Sequence, residues 1–159
     1  MVRADEVEPV PWKNGGGLAR DLLFWPTPGD WQVRISLADI AADGPFSAYP
    51  GVRRWFAVIE GAGVALDFEG GTRTQREGDE PLAFDGGDAP VCRLLAGPTR
   101  DLNLMLSGST RGVLHFGSRW DEDWPLRGRF DIPTRTLEWG LPPGPLQAAG
   151  PALWIGVAP

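Results

Sequence analysis

The chain has one cysteine (Cys92), one histidine (His115), one lysine (Lys13) and one tyrosine (Tyr49) among its 159 residues. A lone cysteine cannot close an internal disulfide, which fits a reducing compartment and leaves Cys92 as a buried structural thiol. A lone histidine excludes the imidazole clusters of zinc and iron centres, and a Ser-His-Asp triad would have to rest on His115 alone. No apolar run approaches the roughly 18 residues of a membrane-spanning helix. The acidic start, Met1 to Glu6, lacks the apolar core of a secretory signal, so a cytoplasmic location is expected. Fifteen Lys and Arg against 21 Asp and Glu give a net charge of −6, the wrong sign for a phosphate-binding face; nucleic acid is not an expected partner. A helical period is missing too, since no window of about 11 residues or more repeats its apolar positions every 3.6.

Glycine (22) and proline (16) are plentiful instead, a composition suited to short strands and tight turns. Trp31-Gln32-Val33-Arg34-Ile35-Ser36-Leu37 alternates with period two, placing Gln32, Arg34 and Ser36 opposite Trp31, Val33, Ile35 and Leu37. In the run from Asp101 to Leu106, Asp101, Asn103 and Met105 face one way and three leucines the other. Further strands are predicted at 22–25, 54–59, 64–68, 72–76, 81–84, 90–95 and 152–157, with weaker ones at 112–116 and 136–139 and a short edge strand within 1–10. Residues 26–30, 39–52 and 140–145 read as turns and loops, rich in Pro and Gly. The spacing predicts a single all-β domain, a sandwich or a barrel.

One stretch concentrates unusual residues: Pro11-Trp12-Lys13-Asn14-Gly15-Gly16-Gly17. Three consecutive glycines lose more conformational freedom on ordering than any other tripeptide. Two readings stand side by side: the chain turns through positive φ, or its backbone N–H groups approach an anion beside the Lys13 ammonium. No P-loop order and no dinucleotide fingerprint surrounds these glycines.

The turns at Glu60-Gly61-Ala62-Gly63, Gly70-Gly71 and Gly78-Asp79 resemble the central hairpins of a cupin jelly roll. Cupin enzymes hold a metal through histidines and a glutamate. Here Arg54 falls where that glutamate would stand and Ala89 where the histidine of the second motif would, so the resemblance implies a cupin without metal or cofactor. A closer resemblance lies in Pro11-Trp12-Lys13-Asn14-Gly15-Gly16-Gly17, Trp31-x-x-Arg34-Ile35-Ser36-x-Ala38-x-Ile40, Gly44-Pro45-Phe46-Ser47 with Pro50-Gly51-Val52, Phe84-Asp85-Gly86, and Gly97-Pro98-x-x-Asp101-Leu102-Asn103-Leu104-Met105. Occurring in that order over residues 9–107, these motifs are similar to the HutD/Ves family, cupin-type proteins whose HutD members are associated with histidine utilisation. The resemblance implies a cupin-type jelly-roll barrel over 9–107. Residues 108–159 then complete it or form a reduced, bicupin-like second half.

It implies further a small-molecule binder that regulates or buffers histidine breakdown through an intermediate such as urocanate or a formylated glutamate. The candidate site is a carboxylate held by Lys13, Arg34 and Arg54, with Asn14 at the rim and Ser36, Asp101 and Asn103 reading polar atoms. On an isolated strand, the alternative places Gln32, Arg34 and Ser36 on a solvent face. Asp101 and Asn103 interrupt a leucine-rich strand, where such residues persist when hydrogen-bonded. A metal-free cupin enzyme, an isomerase or lyase using Lys13 or Asp101 as base, is the alternative function. A purely structural interaction module is the third. The open edges of a jelly roll are also compatible with a homodimer.

Overall fold

The computed structural model describes residues 1–159. The first eight strands are β1 (Val2–Arg3), β2 (Val10–Pro11), β3 (Gly17–Thr27), β4 (Asp30–Ile40), β5 (Gly44–Pro45), β6 (Val52–Glu60), β7 (Val64–Phe68) and β8 (Gly71–Gln75). They are followed by β9 (Leu82–Asp85), β10 (Val91–Leu94), β11 (Thr99–Ser107), β12 (Arg111–Trp120), β13 (Leu126–Asp131), β14 (Thr136–Trp139) and β15 (Leu146–Ala158). Only two short 3₁₀ turns, Ala4–Glu6 and Gly86–Asp88, interrupt the all-β chain.

The strands form three stacked sheets. A six-stranded sheet, ordered β2-β3-β4-β11-β6-β9, lies between a four-stranded sheet, β5-β10-β7-β8, and a five-stranded one, β1-β14-β13-β15-β12. The six- and four-stranded sheets face each other like the two walls of a jelly roll, and their hydrogen bonds do not run on into a closed ring. Because side chains alternate along a strand, the central sheet serves two cores at once. Val33, Ile35 and Leu37 of β4 and Leu102, Leu104 and Leu106 of β11 pack against Phe130, Leu153, Ile155 and Val157 of the five-stranded sheet. On the opposite face, Phe56, Val58 and Ile40 meet Val64, Leu66 and Cys92 of the four-stranded sheet. Cys92 is a free buried thiol, as its sequence context suggests.

Several boundaries differ from the sequence reading. β3 runs on through Pro26 to Thr27, with its register shifting between Trp25 and Pro26. The N-terminal residues contribute two short strands to different sheets, β1 and β2. β15 begins at Leu146, and β13 has no clear sequence signal because Arg127 and Arg129, following Asp121-Glu122-Asp123, make it look like part of a charged, solvated loop. Those arginines are instead stacked on tryptophans: Arg127 lies 4.8 Å from the ring centroid of Trp120, and Arg129 lies 5.6 Å from that of Trp154. Trp120 and Trp154 stack on each other at 6.0 Å, so the four side chains form one column on the outer face of the five-stranded sheet. Trp120 therefore packs away from the pocket described next.

Candidate functional site

Beside the second core, the central sheet lines a pocket of about 620 Å³ with polar residues. Strand register dictates which ones. Met105 of β11 sits opposite Arg34 of β4 on one side and Arg54 of β6 on the other. One row along, Asn103 lies between Ser36 and Phe56, and Asp101 between Ala38 and Val58. The face carrying Arg34 and Ser36 is thus a pocket wall. An isolated strand could not show this, because the pocket is completed by residues 10–14 and 45–49, which lie outside β4.

All seven residues of the predicted site, Lys13, Asn14, Arg34, Ser36, Arg54, Asp101 and Asn103, line this pocket. They divide by depth. Lys13 and Asn14 are exposed at the rim; Ser36, Arg54, Asp101 and Asn103 are buried at the floor. Arg34 is intermediate and donates from Nε to Asp21 at 2.8 Å and from Nη1 to the Tyr49 hydroxyl at 3.3 Å. Burial works against its charge, but the hydrogen bonds and charges of Asp21 and Tyr49 more than offset that, leaving its pKa raised. A bulge at Leu22 in β3 places both Asp21 and Phe24 against Arg34.

Arg54 is 5% exposed, with Phe46, Phe84 and Tyr49 around its guanidinium at 5.1, 5.2 and 5.8 Å. Its Nη2 donates to Asn103 Oδ1 at 2.7 Å. Asn103 Nδ2 in turn donates to Asp101 Oδ2. Loss of water lowers the Arg54 pKa to about 10, partly countered by Asp101, so it remains a cation at neutral pH. The same burial pushes Asp101 up to about 8, against the pull of Arg54 and the Asn103 hydrogen bond. Asp101 Oδ1 and Arg54 Nε are buried without a hydrogen-bond partner. Of the eight buried side-chain polar atoms without a partner in the chain, these two are the ones on residues that line the pocket.

The triple glycine resolves in favour of a turn. Gly15, at φ 74°, donates to Trp12 O at 3.0 Å, and Gly16 N donates to Asn14 Oδ1 at 2.9 Å. These N–H groups are therefore committed within the turn. Asn14 uses the other end of its amide to donate to Pro45 O at 3.3 Å, clipping the glycine turn to the loop that carries Phe46 and Tyr49. A Cβ on Gly17 would lie 2.4 Å from Asp39 O and 3.2 Å from the Trp12 indole. Gly17→Ala is expected to lower stability by roughly 2 kcal/mol through that overlap, whereas Gly15→Ala costs about 1 kcal/mol for its positive φ. Urea midpoints of the two variants check that order.

Sequence reasoning missed Asp21, Phe46 and Tyr49. Tyr49 is the one tyrosine, but nothing in the 39–52 loop signals that it folds back over two arginines. The pocket's donor set does not suit a metal ion. Its two carboxylates stand among three cations, one of them bound to Arg34, and no three His, Cys, Asp or Glu side chains cluster anywhere in the chain. Arg54 is on the pocket floor, and Ala89 lies outside the pocket. His115 sits on β12, 3.4 Å from Glu80, and takes no part in the site.

Comparison with known proteins gives a consistent result. The structure of HutD from Pseudomonas fluorescens SBW25, in a formate condition, is 28% identical, with a TM-score of 0.83 over 98% of this chain and 96% of that one. Protein Ves of Citrobacter koseri is 34% identical over 137 residues, 79% of this chain and 72% of the relative. An uncharacterised 21.2 kDa protein in the hutC 3′ region of Pseudomonas putida is 34% identical over 107 residues, 66% of this chain. The matched region spans 56% of that relative's length. The family model described as HutD matches residues 4–121. On the fold, the ordered motifs and these likenesses together, the chain belongs to the HutD family of cupin-type proteins.

Proposed function

We propose that this protein is a metal-independent binder of a small carboxylate, of the urocanate or formylglutamate class, that regulates or buffers histidine breakdown. Arg54 carries this reading. Its guanidinium is stripped of water and stacked among three rings, and its hydrogen-bond partner, Asn103, is neutral. A buried cation with no carboxylate in hydrogen-bond contact is a strong attractor for an anion entering the pocket. Lys13 adds positive charge at the entrance, and Arg34, held by Asp21 and Tyr49, supplies an oriented guanidinium on the wall. Membership of the HutD family supports the link to histidine breakdown.

Calorimetry with N-formylglutamate and with urocanate tests the assignment. Lys13→Ala is expected to weaken binding about tenfold, equivalent to about 1.4 kcal/mol, and Arg34→Ala by more, since it also releases Asp21 and Tyr49. Unchanged affinity in both variants would overturn the site. Consumption of either acid by the purified protein would replace the binder with the enzyme reading, an isomerase or lyase acting through Asp101 or Lys13. Loss of ligand stabilisation in EDTA would bring back a metal.

A further inference from the structure

The hydrogen bonds on the pocket floor have a fixed direction. Arginine can only donate, so the Asn103 atom facing Arg54 is the oxygen, and its NH₂ must face Asp101. The Asp101 oxygen that meets this NH₂, Oδ2, is therefore an acceptor. A proton on Asp101 is then best placed on Oδ1, the buried atom without a partner on a residue lining the pocket, since Oδ2 already serves as an acceptor. Asp101 is 1% exposed, and Asn103 stands between it and Arg54, so no cation touches it to hold it ionised.

Resting on the carboxylate reading above, we propose that Asp101 takes part in binding as a neutral acid. Its Oδ1–H donates to an oxygen of the bound carboxylate, and anion binding is linked to the retention or uptake of one proton. Without that proton, two anions would share a floor with one buried guanidinium; with it, Oδ1 becomes a donor on a residue of the pocket wall. The surrounding charges leave this balance to Asp101. Asp21 is committed to Arg34, and Asp39 to Arg20 and Arg100. Asp39 is held below the ordinary carboxylate range, its burial being outweighed by those two arginines. Cys92, on the facing sheet, stays a thiol because burial pushes it up to about 12. Lys13 faces the pocket from the rim and Tyr49 from the loop above Arg54. The raised pKa of Asp101, about 8, agrees with the geometry and sets the range in which the linkage is visible.

The test is titration calorimetry with N-formylglutamate, whose charge is constant from about pH 6 to 9, in two buffers of different ionisation enthalpy. The dissociation constant is expected to stay flat from about pH 6 to 7 and to rise toward tenfold per pH unit above about 8. Proton uptake should approach one per ligand near pH 9. Asp101→Asn should remove both the slope and the uptake, so that whatever affinity it keeps is constant across the range. A flat wild-type profile, or release of a proton on binding, overturns the proposal and leaves carboxylate binding standing. Absence of carboxylate binding at every pH overturns the carboxylate reading, and this one with it.

Discussion

Arg54→Met is expected to weaken carboxylate binding at least a hundredfold, about 3 kcal/mol, while leaving the protein folded. The loss follows from removing the only fully buried cation of the pocket, because a charge-assisted bond in a desolvated site is typically worth about 2–5 kcal/mol on truncation. The fold survives because methionine fills similar space between Phe46, Phe84 and Tyr49, and replacing a buried charge with a packed apolar chain is often neutral or stabilising. Asn103 Oδ1 then loses its donor, at a cost of roughly 1–3 kcal/mol, so a modest fall in the urea midpoint is expected. Arg54→Lys separates charge from shape. It keeps the cation but loses the planar fork and its stacking, so its affinity should fall between wild type and Arg54→Met. Calorimetry and urea unfolding on the three proteins check the order. Tight binding by Arg54→Met would remove the main support for an anion site.

Arg127→Ala should act on stability alone, with a loss of about 3–4 kcal/mol and a fall in melting temperature of roughly 10 °C. Arg127 is 2% exposed, and its guanidinium donates to Pro142 O and to Gly144 O, the latter at 2.9 Å. Its own carbonyl accepts from Gly140 N and Leu141 N. The loop it holds contains Pro142, Pro143 and Pro145, which have no N–H with which to bind one another, so the arginine supplies donors that the loop lacks. Alanine would strand two carbonyls and open a cavity beside Trp120. The pocket lies on the other side of the central sheet, so affinity for N-formylglutamate should not change. Differential scanning calorimetry measures the shift. A change of less than about 2 °C would show that the arginine–tryptophan column is not the anchor of this sheet.

The all-β class and most of the strands were legible because alternation in β4 and β11 is unusually clean. The polar members of that alternation were legible as well, and the pocket gathers Arg34, Ser36, Asp101 and Asn103 with Arg54. What one strand cannot show is whether its polar face meets water or a pocket; that depends on the segments 10–14 and 45–49, which carry no sign of what they cover. Asn14 lines the pocket as well, with its amide used at both ends to clip two loops together. Tyr49 and Asp21 were hidden by long-range folding and by the bulge at Leu22. β13 was hidden because a buried, tryptophan-stacked arginine looks like a solvated one in sequence.

The double commitment of the central sheet also bears on how this protein can change over time. Along β4, Arg34, Ser36 and Ala38 face the polar pocket and Val33, Ile35 and Leu37 the larger core, while β11 has the opposite parity. A substitution at 34, 36, 101, 103 or 105 therefore changes the pocket wall, and one at 33, 35, 37, 102, 104 or 106 changes the scaffold. The two sets interleave in sequence yet lie on opposite sides of the sheet. Selection can reshape the pocket at every second residue while the residues between them keep the sheet in register. Relatives with a common framework can in this way come to hold different acids.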